Sequence, residues 1–408
     1  MTTDVQLKPQ HLTKRRSAWD ICADVASRKL PEMGSGHSDL KYSHVHQHIP
    51  AVYSRNHHIH CGGMDKYAQA VLSGAESWDW PALPGFRESE RIRNGETFKD
   101  ASRNLLAGFI AESELLGGTL SERFWYTLGQ CHPRLMDNIK ELENLDSSLE
   151  QSELDSLLYD GVNQDEIDFT PIFELAAELF THLGIAFMYT KEFKRAAFRI
   201  RGRAAQEEEK RKHLELSVLK RDGTTCPVTK VPFFGRGEYK PALTHVLPEA
   251  AREKDTLKII TALAGPGARS AIIQHVRGIG NTVNIEANAA AAYHRGEWGI
   301  EASVNDAGKV KYFFRSIPDD DLGYSLTPLR NGDPILFGGG QGGSGPLPFF
   351  CNLHLAIARV LNASGAAEVI SQLISDADDI ESPHTSNDED FGDVLSAKLI
   401  ISGRAVIT

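Results

Sequence analysis

The segment that decides the fold begins with Arg221-Asp222-Gly223-Thr224-Thr225-Cys226-Pro227-Val228-Thr229. It continues through Thr244-His245-Val246-Leu247-Pro248 to Asn281, an alanine run and Tyr293-His294. The apolar and β-branched stretches 226–231 and 241–247 predict two short strands. The Ala-rich stretch 284–293 predicts a helix, because alanine is the strongest helix former. The segment therefore predicts a small ββα unit.

The polar residues of this unit match the parts of a ββα-metal nuclease site. In such a site a strand histidine is the general base, an asparagine orients it, and the helix carries metal ligands. The segment resembles the HNH endonuclease family in the version common in fungal proteins, whose pattern runs R-D-x-x-x-C-x-x-T, A-H-I-x-P, Asn and H-x-x-F-D. His245 matches the base and Asn281 the asparagine. The resemblance covers about residues 220–375, including Pro346–Phe350 and His354.

The chain departs from the family at the metal ligands. The resemblance implies ligands at the position before the base, at the helix histidine and four residues later, and the last two share a helix face. Those positions hold Thr244, Ala290 and His294. Alanine offers no lone pair and threonine is a poor ligand, so His294 alone could hold a divalent ion. We therefore predict no metal and no other cofactor, with Mg²⁺ or Zn²⁺ expected only in a nuclease.

Two alternatives for the motif stay open. A register shift of three residues makes Asn284 the loop asparagine, with His294 ten residues later as the helix histidine. In the other alternative, His245 and Asn281 only hold the turn together by hydrogen bonds, since buried polar groups need partners.

Three functions are compatible with this pattern. The alanines at 290–292 replace a polar face with an apolar one, which suits a hydrophobic substrate better than a hydrated ion. The favoured function is therefore an isomerase, cyclase or pericyclase acting on a hydrophobic small molecule of fungal secondary metabolism, which needs mainly shape and a few hydrogen bonds. The predicted catalytic residues are His245, Asn281 and His294, and the predicted substrate-binding residues are Thr244, Ala290, Tyr293 and Trp298. The alternatives are a metal-dependent endonuclease that cleaves DNA and a catalytically dead homologue that acts as a binding protein.

Composition bears on the partners and the cellular location expected for this protein. The 408 residues carry a net charge of −11, which disfavours a nucleic-acid partner, because phosphate binding depends on lysine and arginine. Five scattered cysteines form no C-x-x-C pair, which favours reduced thiols and an intracellular, cytoplasmic location. The polar N-terminus is not typical of a signal peptide, and the sequence predicts no membrane-spanning helix. The oligomeric state stays open.

The predicted fold class is mainly α with a small ββα-metal (HNH-like) α+β module. Residues 1–150 are predicted as a mostly helical region with a His-rich irregular segment at 37–60, and residues 151–220 as an acidic linker and a long amphipathic helix. Residues 221–317 are predicted as the HNH-like module with a helical insertion and a hairpin at 298–317. Residues 318–408 are predicted as a Gly-rich connector and a helical C-terminal region.

Overall fold

The computed structural model describes residues 64–75, 78, 98–145, 149–188, 204–233, 241–305, 309–317, 327–337 and 345–371. All of them belong to one unit, Ala51–Thr408. The sequence also contains a basic stretch at 191–203 and an acidic stretch at 382–390. Outside the described residues lie both of these stretches, the predicted His-rich segment at 37–60 and most of the Gly-rich connector at 338–345.

The first half of the described chain is helical. Its helices are α1 (Met64–Gly74), α2 (Phe98–Leu116), α3 (Leu120–Gln130) and α4 (Pro133–Glu143). The apolar pattern over residues 120–139 predicts a single helix in place of the last two, but the chain breaks where the Nδ1 atom of His132 accepts a hydrogen bond from the backbone N–H of Arg134, 3.1 Å away. Pro133 then occupies the first helical position, which suits its missing N–H.

The acidic segment predicted as a linker contains a packed helix. Helix α5 (Gln151–Leu158) buries Leu154 and Leu158 among the core side chains. Two apolar positions four residues apart share one helix face, so this short acidic helix still has a side to bury. This part of the acidic segment therefore packs with the core and does not connect separate domains.

The long helical pattern that starts at 171 is interrupted. Helix α6 (Thr170–Leu179) passes into a π-helical turn, Phe180–Ile185, and a last turn, Ala186–Met188. Among the described residues, Thr170–Met188 alone is long and apolar enough to span a membrane, and half of its most apolar window is buried inside the protein. Its apolar side contributes Ile172, Leu175, Ala176, Leu179 and Leu183 to the core.

The predicted strand at 226–231 is wrong. After helix α7 (Ala204–Asp222), this stretch forms a turn in which the Lys230 N–H donates to the Cys226 carbonyl over 3.0 Å. The antiparallel pair consists instead of β1 (Pro241–His245) and β2 (Thr282–Glu286), with His245 opposite Thr282. Helices α8 (Lys254–Ala264) and α9 (Pro266–His275) lie between these strands. The sequence Gly265-Pro266-Gly267 predicts a break in this helical insertion, and the structure confirms it.

Helix α10 (Ala287–His294) begins three residues later than predicted, because Asn284 belongs to β2. The carboxylate of Glu286 caps the helix by accepting hydrogen bonds from the backbone N–H groups of Asn288 and Ala289. At the other end Gly296 adopts a positive φ of 69°, which a glycine adopts without strain. The chain thereby turns from α10 into the next strand.

The predicted hairpin is confirmed. Strands β3 (Trp298–Val304) and β4 (Val310–Ser316) pair antiparallel, and the short β5 (Pro334–Ile335) pairs with β4. The C-terminal helix is also confirmed, as α11 (Pro348–Ala363), and the Asn352 side chain holds it to the backbone N–H and carbonyl of Ala302. The described protein is thus mainly helical, with two small antiparallel sheets.

Candidate functional site

Asn281 is fully buried and holds the motif together. Its amide oxygen accepts from the Leu247 N–H at 2.8 Å, and its amide nitrogen donates to the carbonyls of Leu247 and Val276 at 2.8 and 2.7 Å. The backbone N–H of Val246 also donates to the Asn281 carbonyl. These bonds fix the chain directly after His245, as expected if Asn281 holds the turn.

The Arg221-Asp222 pair has a structural role. The Arg221 guanidinium binds the Asp222 carboxylate through two hydrogen bonds of 2.7 and 2.6 Å, and both side chains are buried. Arg221 also donates to the carbonyls of Ile279 and Thr282. A bidentate pair of this kind is geometrically specific, so it joins the end of α7 to the start of β2.

Cys226 makes a similar connection at the other end of β2. Its buried sulfur accepts from the backbone N–H groups of Thr229 and Glu286, each at 3.3 Å. The sulfur therefore holds the turn at 226–231 against the beginning of α10. Sequence reasoning identified this cysteine as part of the motif but did not predict these bonds.

The positions that hold metal in the resembled family lie mostly in the core. Thr244 is 2% exposed, and its hydroxyl donates to the Ala242 carbonyl. Ala290 is 6% exposed, while His294 is half-buried. Within the part of the chain that the structure describes, no group of three or more His, Cys, Asp or Glu side chains is arranged to hold a metal ion.

The structure brings His245, Asn281 and Tyr293 together around the backbone of Val246. His245 is half-buried at the end of β1, and Val246 follows it. The Tyr293 hydroxyl donates to the Val246 carbonyl at 3.3 Å. Burial raises the pKa of Tyr293 well above its usual value, so the phenol stays protonated at neutral pH.

Trp298 packs beside Tyr293 as part of the core. Their rings lie 4.9 Å apart, and the indole N–H of Trp298 donates to the Ala289 carbonyl at 2.9 Å. Trp298 also stacks on Phe314, which holds β3 and β4 against α10. Both aromatic residues are nearly inaccessible, so the structure places Tyr293 and Trp298 beneath the surface.

A cleft opens at the C-terminal end of α10. Its wall is mostly apolar and includes Phe187, Ile357 and Leu361, with His294, Arg295 and His354 as polar members and Gly296 at the turn. Its enclosed volume is about 10 Å³, room for one group the size of a water molecule. Of the predicted site residues, His294 lines this cleft; the other six are not among its lining residues.

His354 is the buried polar residue of the cleft. It is 5% exposed, its ring stacks on Tyr293 at 4.0 Å, and its Nδ1 atom has no hydrogen-bond partner among the described residues. Burial and, secondarily, the neighbouring charge of His294 lower the pKa of His354 to about 3. This imidazole is therefore neutral at physiological pH. Sequence reasoning used His354 only as part of the family resemblance; its position within the apolar run of α11 was the available signal.

The π-helical turn shapes the wall opposite α10. A Cβ atom on Gly184 would lie 2.8 Å from Ile370 Cδ1 and 3.2 Å from Leu361 Cδ2. The glycine therefore permits a close approach to α11, and the next turn carries Phe187 and Met188 into the cleft wall. π-helical turns are common at functional sites, so this irregularity is consistent with a binding role.

Comparison with known proteins adds no relative. No family model, curated protein or solved structure matches this chain.

Proposed function

We propose that this chain is an HNH-type protein with a degenerate metal site, and that it acts as an isomerase, cyclase or pericyclase on a hydrophobic small molecule. One observation carries the proposal: a mostly apolar cleft with two histidines lies at the end of the helix that would carry the family's metal ligands. The HNH origin is supported by the buried bonds of Arg221, Cys226 and Asn281, which are the residues that match the family pattern.

The cleft suits a reaction controlled by shape. An intramolecular rearrangement needs no co-reactant, and its rate depends on holding one conformation and placing a few hydrogen bonds. His294, Arg295 and His354 are the polar residues of the cleft wall that supply those bonds, whereas Asn281 holds the scaffold. The proposed reaction requires no metal, cofactor or nucleic acid.

The size of the cleft limits the mode of binding. Since about 10 Å³ is enclosed, the body of a substrate has to lie at the open mouth, with only a small group inside. Arg295 and Glu297 form an ion pair at this end of α10. Exposed pairs of this kind contribute little to stability, so a substrate could displace it at low cost.

Two assays on the full chain test the proposal. The first incubates supercoiled DNA with Mg²⁺, Mn²⁺ or Zn²⁺, and we expect no cleavage. The second screens apolar small molecules by thermal shift against the wild type, His294→Ala and His213→Ala, which removes an exposed histidine of α7. We expect stabilising compounds whose effect falls in His294→Ala and persists in His213→Ala. Metal-dependent DNA cleavage that disappears in His245→Ala would instead establish the nuclease.

A further inference from the structure

His354 is an unusual buried side chain. Nine-tenths or more of the buried polar groups in proteins have a hydrogen-bond partner. The Nδ1 atom of His354 has none among the described residues, although the side chain is 95% buried and belongs to the cleft wall. An unpaired buried polar group destabilises the folded state, so a partner supplied by a ligand would recover free energy that the folded chain lacks.

The surroundings fix the orientation of this imidazole. Tyr293 covers one face, with ring planes 8° apart, and the Tyr293 hydroxyl is itself bonded to Val246. Leu353 and Leu355, the neighbours of His354 on α11, are buried. The ring therefore cannot turn freely to find another partner within the core.

We infer that the cleft recognises an uncharged hydroxyl group on an otherwise apolar ligand, and that this hydroxyl binds the imidazole of His354. The inference rests on the proposed small-molecule function of the same cleft. It adds a specificity-determining residue, His354, and a chemical class of ligand.

The chemistry of a neutral imidazole selects the hydroxyl. One ring nitrogen donates and the other accepts, and the tautomer decides which does which. A hydroxyl both donates and accepts, so it can pair with Nδ1 in either tautomer, whereas a carbonyl oxygen can pair only with a protonated Nδ1. A carboxylate would gain no cation from the neutral His354 to compensate for its lost hydration, and Arg295, the cation in the cleft wall, is already paired with Glu297.

The size of the cleft is consistent with a hydroxyl as the recognised group. The enclosed space admits one oxygen-sized group, and the surrounding side chains of Phe187, Ile357 and Leu361 are apolar. Nδ1 is itself closed off from solvent, so the apolar body of a ligand has to displace part of the cleft wall for its hydroxyl to reach this atom. A phenol or a cyclic alcohol has this form, with a single hydroxyl on a compact apolar ring.

Two fluorinated probes test the inference. Titration of the full chain with 4-fluorophenol and with fluorobenzene, followed by ¹⁹F NMR, gives the affinity for the same ring with and without the hydroxyl. We expect the wild type to bind 4-fluorophenol about 3- to 10-fold more tightly, the ratio that one neutral hydrogen bond supplies. His354→Phe should bring the ratio close to 1 while fluorobenzene still binds. His354→Leu provides a second apolar replacement if the larger ring prevents folding.

A control and three outcomes complete the test. His213→Phe, a change on an exposed face, should keep the wild-type ratio. If the wild type binds the two probes with equal affinity, the inference about the hydroxyl is overturned, although an apolar binding cleft remains. The same conclusion follows if both His354 variants keep the wild-type ratio of the two affinities. Failure of both probes to bind, or binding that Ala358→Phe in the cleft wall does not weaken, overturns the cleft as the site and with it the proposed function.

Discussion

The imidazole of His354 lies flat on the ring of Tyr293, with ring centroids 4.0 Å apart. Because the Tyr293 hydroxyl also donates to the Val246 carbonyl, one side chain joins the end of β1 to the wall of the cleft. Of the two histidines predicted as catalytic, His245 lies next to this carbonyl on the strand side, whereas His294 lines the cleft together with His354. Tyr293 thus separates the position of the family's general base from the cleft proposed as the site.

Burial of His354 predicts a specific dependence of stability on pH. The unfolded chain takes up a proton at this residue as the pH falls through its ordinary pKa of 6.5, whereas the folded chain does so only near 3. Acid therefore favours the unfolded state, and the stability present above pH 6.5 is lost as the pH falls. Between pH 7 and pH 5 this one group should lower the free energy of unfolding by about 2 kcal/mol.

Urea unfolding of the wild type and His354→Phe at both pH values measures this effect. The variant should lose less stability between pH 7 and pH 5, because phenylalanine takes up no proton. Burial also lowers the pKa values of His182 and His275, but both residues are present in the two proteins and cancel in the comparison. The same loss of stability in wild type and variant would contradict the buried, neutral state of His354.

Replacement of Asn281 should weaken the fold before it affects chemistry. Asn281→Ala leaves the Leu247 N–H and two buried carbonyls without partners, which should cost about 3 kcal/mol or more in the free energy of unfolding. Asn144→Ala is the matched control, since its side chain bonds to Lys140 at an exposed helix end. Chemical denaturation of the wild type, Asn281→Ala and Asn144→Ala measures the three free energies of unfolding. Undiminished stability together with lost activity would give Asn281 a catalytic role.

Introducing a histidine at position 290, where the resembled family carries one, should not create a metal site. Ala290 is packed in the core, so the larger side chain of Ala290→His should lower the free energy of unfolding by about 1–3 kcal/mol. Ala287→His places the same side chain at an exposed position of α10 and should be nearly neutral. Elemental analysis should find well under one equivalent of Zn²⁺ in the wild type and in both variants. Stoichiometric Zn²⁺ in Ala290→His that disappears when His294 is also replaced would contradict this prediction and show that positions 290 and 294 can hold a metal ion together.

The sequence predicted the parts of the fold that depend on local pattern. The hairpin of β3 and β4 follows from alternation over two neighbouring stretches, and the break at Gly265 follows from the Gly-Pro pair. The strand predicted at 226–231 is wrong, because the sulfur of Cys226 accepts a hydrogen bond from the backbone N–H of Glu286, sixty residues away. This bond holds a turn where the β-branched residues favour a strand. Strand β2 was missed, because Asn284 and Ile285 run directly into the alanine-rich helix.

The candidate site was less accessible to sequence reasoning. Its walls come from Phe187, His294, His354 and Leu361, which share no local pattern and meet only through the packing of α11 against α10 and the π-helical turn. Periodicity shows that a side chain faces inward, but it does not show where the packing leaves a space. Thr244 and Ala290, which the resemblance places at metal-ligand positions, are both buried in the structure, and the sequence pattern alone did not show this burial.

Substitution of His245 should show whether function depends on the strand side of Tyr293 or on the cleft. Asparagine keeps a hydrogen-bonding group at this position but cannot act as a base near neutral pH, and alanine keeps neither property. Since the backbone after His245 is held by Asn281, we expect His245→Asn to bind apolar probes in the cleft within about two-fold of the wild type, and His245→Ala to be less stable. His294→Ala, at the cleft wall, should weaken probe binding in a folded protein. Probe titration combined with melting curves measures both effects. Complete loss of an activity in both His245 variants, with melting temperatures unchanged, would assign the chemistry to the strand side and support the nuclease alternative.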